Sequence, residues 1–173
     1  MNKMVTVDSD LFFAKVKYNA IIPSKRDEDG AMDVYACFEQ DHLIIDPHET
    51  RMIPTGIASA FSHKYVAILK ERGSNGSKGI AQRCGVIDSG YRSEWFVPLT
   101  NSNDVSVFIS KLGNDTPFKK SIHGESITYP YEKGIAQALI LPVPIMNIKE
   151  ITPEELQAIP SKRGKGKLGS SGK

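Results

Sequence analysis

This sequence predicts an all-β fold with one short C-terminal helix, and three observations carry that prediction. Runs rich in β-branched and aromatic residues recur at Ala14–Ile22, Thr50–Phe61, Lys64–Arg72, Trp95–Thr100, Asp104–Ser110 and Gly134–Val143. Clusters of Pro, Gly, Asn and Asp bound these runs at short intervals, which is the pattern of strands joined by turns. Only one stretch carries helix signals at both ends. Many short strands without regular helices describe an antiparallel sandwich, jelly roll or barrel.

In chain order, the first four runs read as strands by composition and by the turn residues around them. Val86–Ile87 and Trp95–Val97 flank the Asp88-Ser89-Gly90 turn and read as a β-hairpin. Over Asp104–Ser110, strict alternation places Val105, Val107 and Ile109 on one face and Ser106 and Phe108 on the other. The helix follows the last strand: Thr152 can cap it, Pro153 suits its first position, Glu155 completes a T-x-x-E capping box and Pro160 stops it. Beyond it, SKRGKGKLGSSGK has the composition of a flexible basic tail or an expression linker, or of an arm that closes over an anion.

With 173 residues, 40% hydrophobic and 24% charged, the chain is long enough to bury a core without staples. The balance of 22 basic to 20 acidic residues argues against a large nucleic-acid footprint. Cys37 and Cys84 are too few for a disulfide framework and read as reduced thiols. No apolar run approaches the roughly 20 residues of a membrane span, and no signal-peptide core opens the chain, so a cytoplasmic setting is expected. His42, His48, His63 and His123 lack the spacing of metal ligands. Neither cysteine has a recognisable catalytic partner, and no G-x-S-x-G elbow is present.

Chemistry concentrates in three polar clusters. In Glu71–Gly79, Arg72 and Lys78 bracket glycines and serines after a strand; this is either an ordinary loop or a place where backbone N–H groups and a planar cation meet an anion. In Gly85–Trp95, a turn carries Asp88 beside Tyr91 and Arg92; the aspartate either starts the turn or offers a carboxylate. The third cluster is the tail.

Taken in order, DEDGAMDVYA, ERGSNGSKGI, GVIDSGYRSEW, KGIAQALILPV and RGKGKLGSSGK resemble the five motifs of the trimeric deoxyuridine triphosphate nucleotidohydrolases, the dUTPases, of a phage or Gram-positive type. Thr55-Gly56-Ile57 also resembles a family segment, and the likeness spans roughly Lys15 to Gly172. The resemblance implies a dUTPase-like jelly roll over 1–160 and a mobile phosphate-clamping arm over 161–173. It implies a homotrimer with shared active sites that hydrolyses dUTP to dUMP and pyrophosphate, with Mg²⁺ held by the triphosphate.

By the same resemblance, Asp88 is the catalytic carboxylate that activates water against the α-phosphorus. Tyr91 stacks on the deoxyribose and excludes a 2′-hydroxyl. The backbone of Gly85, Val86, Ile87 and Asp88 reads the uracil edge, with Gln82 near a polar nucleotide-contacting position. Arg72, Gly73, Ser74 and Gln137 contact phosphates, and Asp33 stands in the outer shell of the metal, acting through water. Arg163, Ser170 and Ser171, with the amide freedom of Gly169, clamp the γ-phosphate, so GSSG reads as a native motif.

The chain departs from the family pattern in places. Motif two reads Arg72-Gly73-Ser74, Ala31 replaces a glycine, and Leu168 stands where a lid phenylalanine is usual. Trp95 or Phe96 then becomes the candidate aromatic cover for uracil. Residues 101–132 exceed the usual spacing and read as an inserted hairpin or loop, a surface for a regulatory protein partner. Two further readings stand beside hydrolysis: dCTP deamination on the same fold, and regulatory protein binding through 101–132. No nucleic-acid or membrane partner is expected.

Overall fold

Turn residues at short intervals cut the chain into fourteen strands in the computed structural model, which describes residues 10–113, 120–121 and 124–162. They are β1 Phe12–Lys15, β2 Met32–Val34, β3 His42–Ile45, β4 Thr50–Pro54, β5 Ile57–Ala60, β6 Tyr65–Lys70 and β7 Ile80–Gln82. Then come β8 Val86–Ile87, β9 Phe96–Asn101, β10 Val107–Ser110, β11 Lys120–Ser121, β12 Gly124–Glu125, β13 Ile127–Pro130 and β14 Ala136–Pro142. Two helices, α1 Gly73–Gly76 and α2 Pro153–Ala158, complete the regular structure of the described residues. The all-β jelly roll predicted from sequence is the fold found.

The strands form a four-stranded sheet β2-β14-β6-β8, two three-stranded sheets, β4-β9-β7 and β13-β10-β3, and the pairs β1-β5 and β11-β12. Pairing is antiparallel except between β10 and β13, which run in the same direction with Ile109 opposite Tyr129. The hairpin β11-β12 lies inside the long 101–132 segment. The core is mostly aliphatic, and most strands send a residue into it: Val34, Ile45, Ile53, Ile57, Leu69, Ile80, Val97, Leu99, Val107 and Ile109 are all buried.

Some sequence expectations need correction. Val86–Ile87 and Phe96 do not pair as a hairpin; β8 pairs with β6, and β9 pairs with β4 and β7. The turn after Asp88 therefore carries the chain from one sheet to another. Thr50–Phe61 is two strands, because Thr55 Oγ1 donates to the Trp95 carbonyl at 2.6 Å and Gly56 N–H to Glu94 Oε1 at 2.8 Å. All of β10 is buried, Phe108 included, because this central strand is covered on both faces and alternation there does not separate core from solvent. Glu71–Gly79 is not a plain loop: it contains the single turn α1.

Val143 and Pro144 mark the division into two units, Met1–Val143 and Pro144–Lys173. In the second unit the predicted capping box is complete: Glu155 N–H donates to Thr152 Oγ1 at 3.1 Å and Thr152 N–H to Glu155 Oε2 at 2.8 Å. Its apolar residues Ile145, Met146 and Ile148 are exposed. Among the described residues no helix is long and apolar enough to cross a membrane. Cys37 is buried, Cys84 is exposed, and both are free thiols.

Candidate functional site

Alternation along β14 builds the site. Ala136 and Ala138 face the core, which turns the half-buried Gln137 to the other side. Gln137 sits opposite Asp33 of β2 on one flank and Lys70 of β6 on the other, so three adjacent strands deliver one polar row. Its amide donates to the Glu71 carbonyl at 2.8 Å, just where β6 gives way to α1. Asn75, fully buried, fixes α1 by donating to the Ile135 carbonyl at 2.6 Å. These strands and the turn of α1 carry Asp33, Arg72, Gly73, Ser74 and Gln137 to the wall of a single cavity of about 560 Å³.

Inside that cavity Arg72 and Asp33 form a two-pronged ion pair, with Nε to Oδ1 at 2.9 Å and Nη2 to Oδ2 at 3.1 Å. The guanidinium Nη1 donates to the Gly134 carbonyl at 3.0 Å and to the Tyr129 hydroxyl at 3.4 Å. Partial burial works against the charge on Arg72, but the Tyr129 hydroxyl and the Asp33 carboxylate outweigh it, and the net pKa is raised. Arg26, Glu28 and Asp29 also line the cavity. Arg26 donates to both Asp29 oxygens, at 2.9 and 3.0 Å, and these hydrogen bonds hold the Asp29 carboxyl below its usual pKa.

A second cluster lies on the sheet-to-sheet crossing. Gly85 has φ +127, and its carbonyl accepts from Leu69 N–H at 2.7 Å. A Cβ there would fall 2.8 Å from the Leu69 carbonyl oxygen, so only glycine lets β8 approach β6 this closely. Gly85→Ala is expected to cost about 1–3 kcal/mol in urea unfolding, from strained backbone and a blocked strand approach. Gln82 spends its amide on the Arg83 and Cys84 carbonyls, both at 2.7 Å. Asp88 is exposed at the head of a turn closed by Tyr91 N–H to the Asp88 carbonyl at 3.0 Å. The Tyr91 hydroxyl donates to the Glu94 carbonyl at 2.9 Å, and Glu94 is itself pinned by Lys17 at 3.0 Å. The half-exposed ring is thus held at its far end.

The sequence-predicted residues therefore fall into two groups. None of Gln82, Gly85, Val86, Ile87, Asp88 and Tyr91 lines the cavity that holds Asp33 and Arg72. Arg163, Leu168, Gly169, Ser170 and Ser171 lie outside the described residues. Trp95 is removed as a cover for uracil: it is 0% exposed, packs edge-on against Phe13 at 5.4 Å, and donates to Ser59 Oγ at 3.1 Å. Phe96 is partly exposed, in a groove beside Met52 and Arg51. Sequence reasoning missed Tyr129, Asn75 and Arg26. Asn75 lies within ERGSNGSKGI and Arg26 immediately before DEDGAMD, whereas Tyr129 falls in none of the quoted motifs.

The dUTPase family model matches residues 17–113, more than half of the 173. The deoxyuridine 5′-triphosphate nucleotidohydrolase of Mycolicibacterium gilvum is 30% identical over 156 residues, covering 87% of each chain. That of Neisseria meningitidis serogroup C is 31% identical over 156 residues, with the same coverage. Among solved structures, a mutant dUTPase of Staphylococcus bacteriophage 80alpha with dUpNHpp superposes with a TM-score of 0.73 at 24% identity, over 95% of this chain and 99% of that one. The dUTPase of phage phi11 of S. aureus, described for its species-specific insert, gives 0.64 at 23% identity over 82% and 96%. Two relatives matched at this level of identity over 87% of their length, a family match over residues 17–113 and a shared fold lead to one conclusion: the chain belongs to the dUTPase family.

Proposed function

We propose that this protein hydrolyses dUTP to dUMP and pyrophosphate, with water activated by Asp88 attacking the α-phosphorus. The observation that carries the reading is the convergence of Asp33, Arg72, Gly73, Ser74 and Gln137 on one cavity in a member of this family. Arg72 supplies positive charge to the phosphates, Ser74 and Gln137 supply hydrogen bonds, and the exposed Asp88 carboxylate accepts the proton of the attacking water. Backbone groups from Gly85 to Asp88 read the uracil edge, Gln82 acts through its staple on that turn, and the Tyr91 ring excludes a ribose.

The phosphate-side cavity and the Asp88 turn share no lining residues within one chain, which supports an active site completed by neighbouring copies in a homotrimer. Exposure of Ile145, Met146 and Ile148 in the second unit supports the same assembly. Arg163, Gly169, Ser170 and Ser171 of the arm would close over the γ-phosphate, with Leu168 at the lid position. Mg²⁺ fits this cavity in one manner only. Among the described residues no group of three or more His, Cys, Asp or Glu could hold it, and both Asp33 oxygens are engaged by Arg72. The residues present suit a metal carried on the triphosphate, with Asp33 reaching its waters. When bound, Mg²⁺ would supply charge neutralisation at phosphate oxygens. This chemistry belongs in the cytoplasm.

The test compares pyrophosphate release from dUTP, dTTP, dCTP and UTP, with ammonia release from dCTP alongside. A preference for dUTP of at least about 10²-fold is expected, because cytosine reverses the edge pattern and leaves buried groups unpaired. Equal rates, or ammonia from dCTP, would discard the reading. A regulatory partner docking on Asn101–Glu132 is a second role, which the β11-β12 hairpin in that segment supports.

A further inference from the structure

On the reading of the cavity as a phosphate site, we infer that Tyr129 is a positioning residue. It locks the Arg72 guanidinium in place and so ties the 101–132 segment to the phosphate-side wall from behind. Tyr129 sits on β13, is 2% exposed, and lies opposite Ile109 of β10. Its hydroxyl donates to the Gly134 carbonyl at 2.6 Å and accepts from Arg72 Nη1 at 3.4 Å, while the same Nη1 donates to that carbonyl at 3.0 Å. Hydroxyl, carbonyl and guanidinium form a closed triangle. The Tyr129 ring also lies under a second cation of the Glu71–Gly79 stretch, with Lys78 Nζ 5.8 Å from its centroid.

A count of donors shows what the triangle does. The Gly134 carbonyl and the Tyr129 hydroxyl lie 2.6 Å apart, so a single Nη1 N–H serves both; with the two N–H groups on Asp33, three of the five donors of Arg72 are held among the described residues. The side chain thus meets an anion with a fixed charge and with its remaining N–H groups, one on Nη1 and one on Nη2, already aimed. Gly134 closes the arrangement from below: a Cβ there would lie 3.1 Å from Asp33 Cβ and Cγ and 3.3 Å from Arg72 Cδ.

The test is a double-mutant cycle read by calorimetric binding of inorganic tripolyphosphate with Mg²⁺ to the full chain. Tyr129→Phe removes one oxygen and keeps the ring. It is expected to weaken binding about 5- to 20-fold, with the unfolding midpoint shifted by only a few degrees. Arg72→Lys should weaken binding by more. Tyr129→Phe added to Arg72→Lys should then cost less than about twofold further, because a residue acting through Arg72 has nothing left to position. Wild-type affinity in Tyr129→Phe, or losses that multiply in the double variant, would overturn the inference. Should Tyr129→Phe fail to fold, Gly134→Ala strains the same pair from the other side and should weaken binding comparably; unchanged affinity there would also overturn it. Wild-type protein that turns over dUTP while Tyr129→Phe matches it sinks the inference alone. Wild type that binds no tripolyphosphate and hydrolyses no dUTP sinks the functional reading as well.

Discussion

Asp88→Asn should lower pyrophosphate release from dUTP by at least about 100-fold, since general-base assistance contributes roughly 10²–10⁴. The substitution keeps the size and shape of the side chain and removes its ability to take a proton. Asp88 is exposed, and among the described residues no hydrogen bond ties down its carboxylate; its backbone carbonyl closes the turn and is untouched by the change. The unfolding midpoint should therefore match that of wild type, and the loss should fall on kcat more than on KM. Steady-state rates with a coupled pyrophosphate assay, alongside a thermal melt, separate the two. A reduction under about tenfold would show that the proton goes elsewhere.

Trp95→Ala is expected to be the most damaging single truncation for stability, at about 3–5 kcal/mol in urea unfolding. The indole is fully enclosed, meets Phe13 edge-on and satisfies its N–H on Ser59, so its removal leaves a large cavity and an orphaned hydroxyl. Its carbonyl also accepts from Thr55, which places it at the hub between the β4-β5 corner and β9. Trp95→Phe should cost less, because most of the packing stays. Phe96→Ala, at a partly exposed position, should remain within about 1 kcal/mol. A Trp95→Ala variant of native stability with altered dUTP affinity would restore the indole to the nucleotide.

What could be read in the sequence was local. The Thr152 capping box needs only four consecutive residues, and it formed as expected. Asp33, Arg72, Ser74 and Gln137 were found by motif, and strand pairing then gathered them. What could not be read was which strand meets which. The Asp88 turn has the composition of a hairpin, but β8 finds its partner in β6, whose Ala67 and Ile68 lie far upstream. Burial of both faces of β10 likewise depends on β3 and β13. Tyr129 and Asn75 escaped notice because a tyrosine in a strand and an asparagine in a glycine-rich stretch look ordinary. Their roles arise only once Gly134 and Ile135 are brought beside them.

The shared direction of β10 and β13 has a practical consequence for engineering. Chain leaving Ser110 must travel back along the full strand before Ile127 can enter the sheet, so residues 111–126 can never shrink to a two-residue turn. Lengthening is a different matter. Loop-closure entropy grows slowly with length, by about 0.6 kcal/mol per doubling, and added residues leave the pairing of Ile109 with Tyr129 in register. A tag or a reporter domain grafted here would ride on the fold without rewriting it.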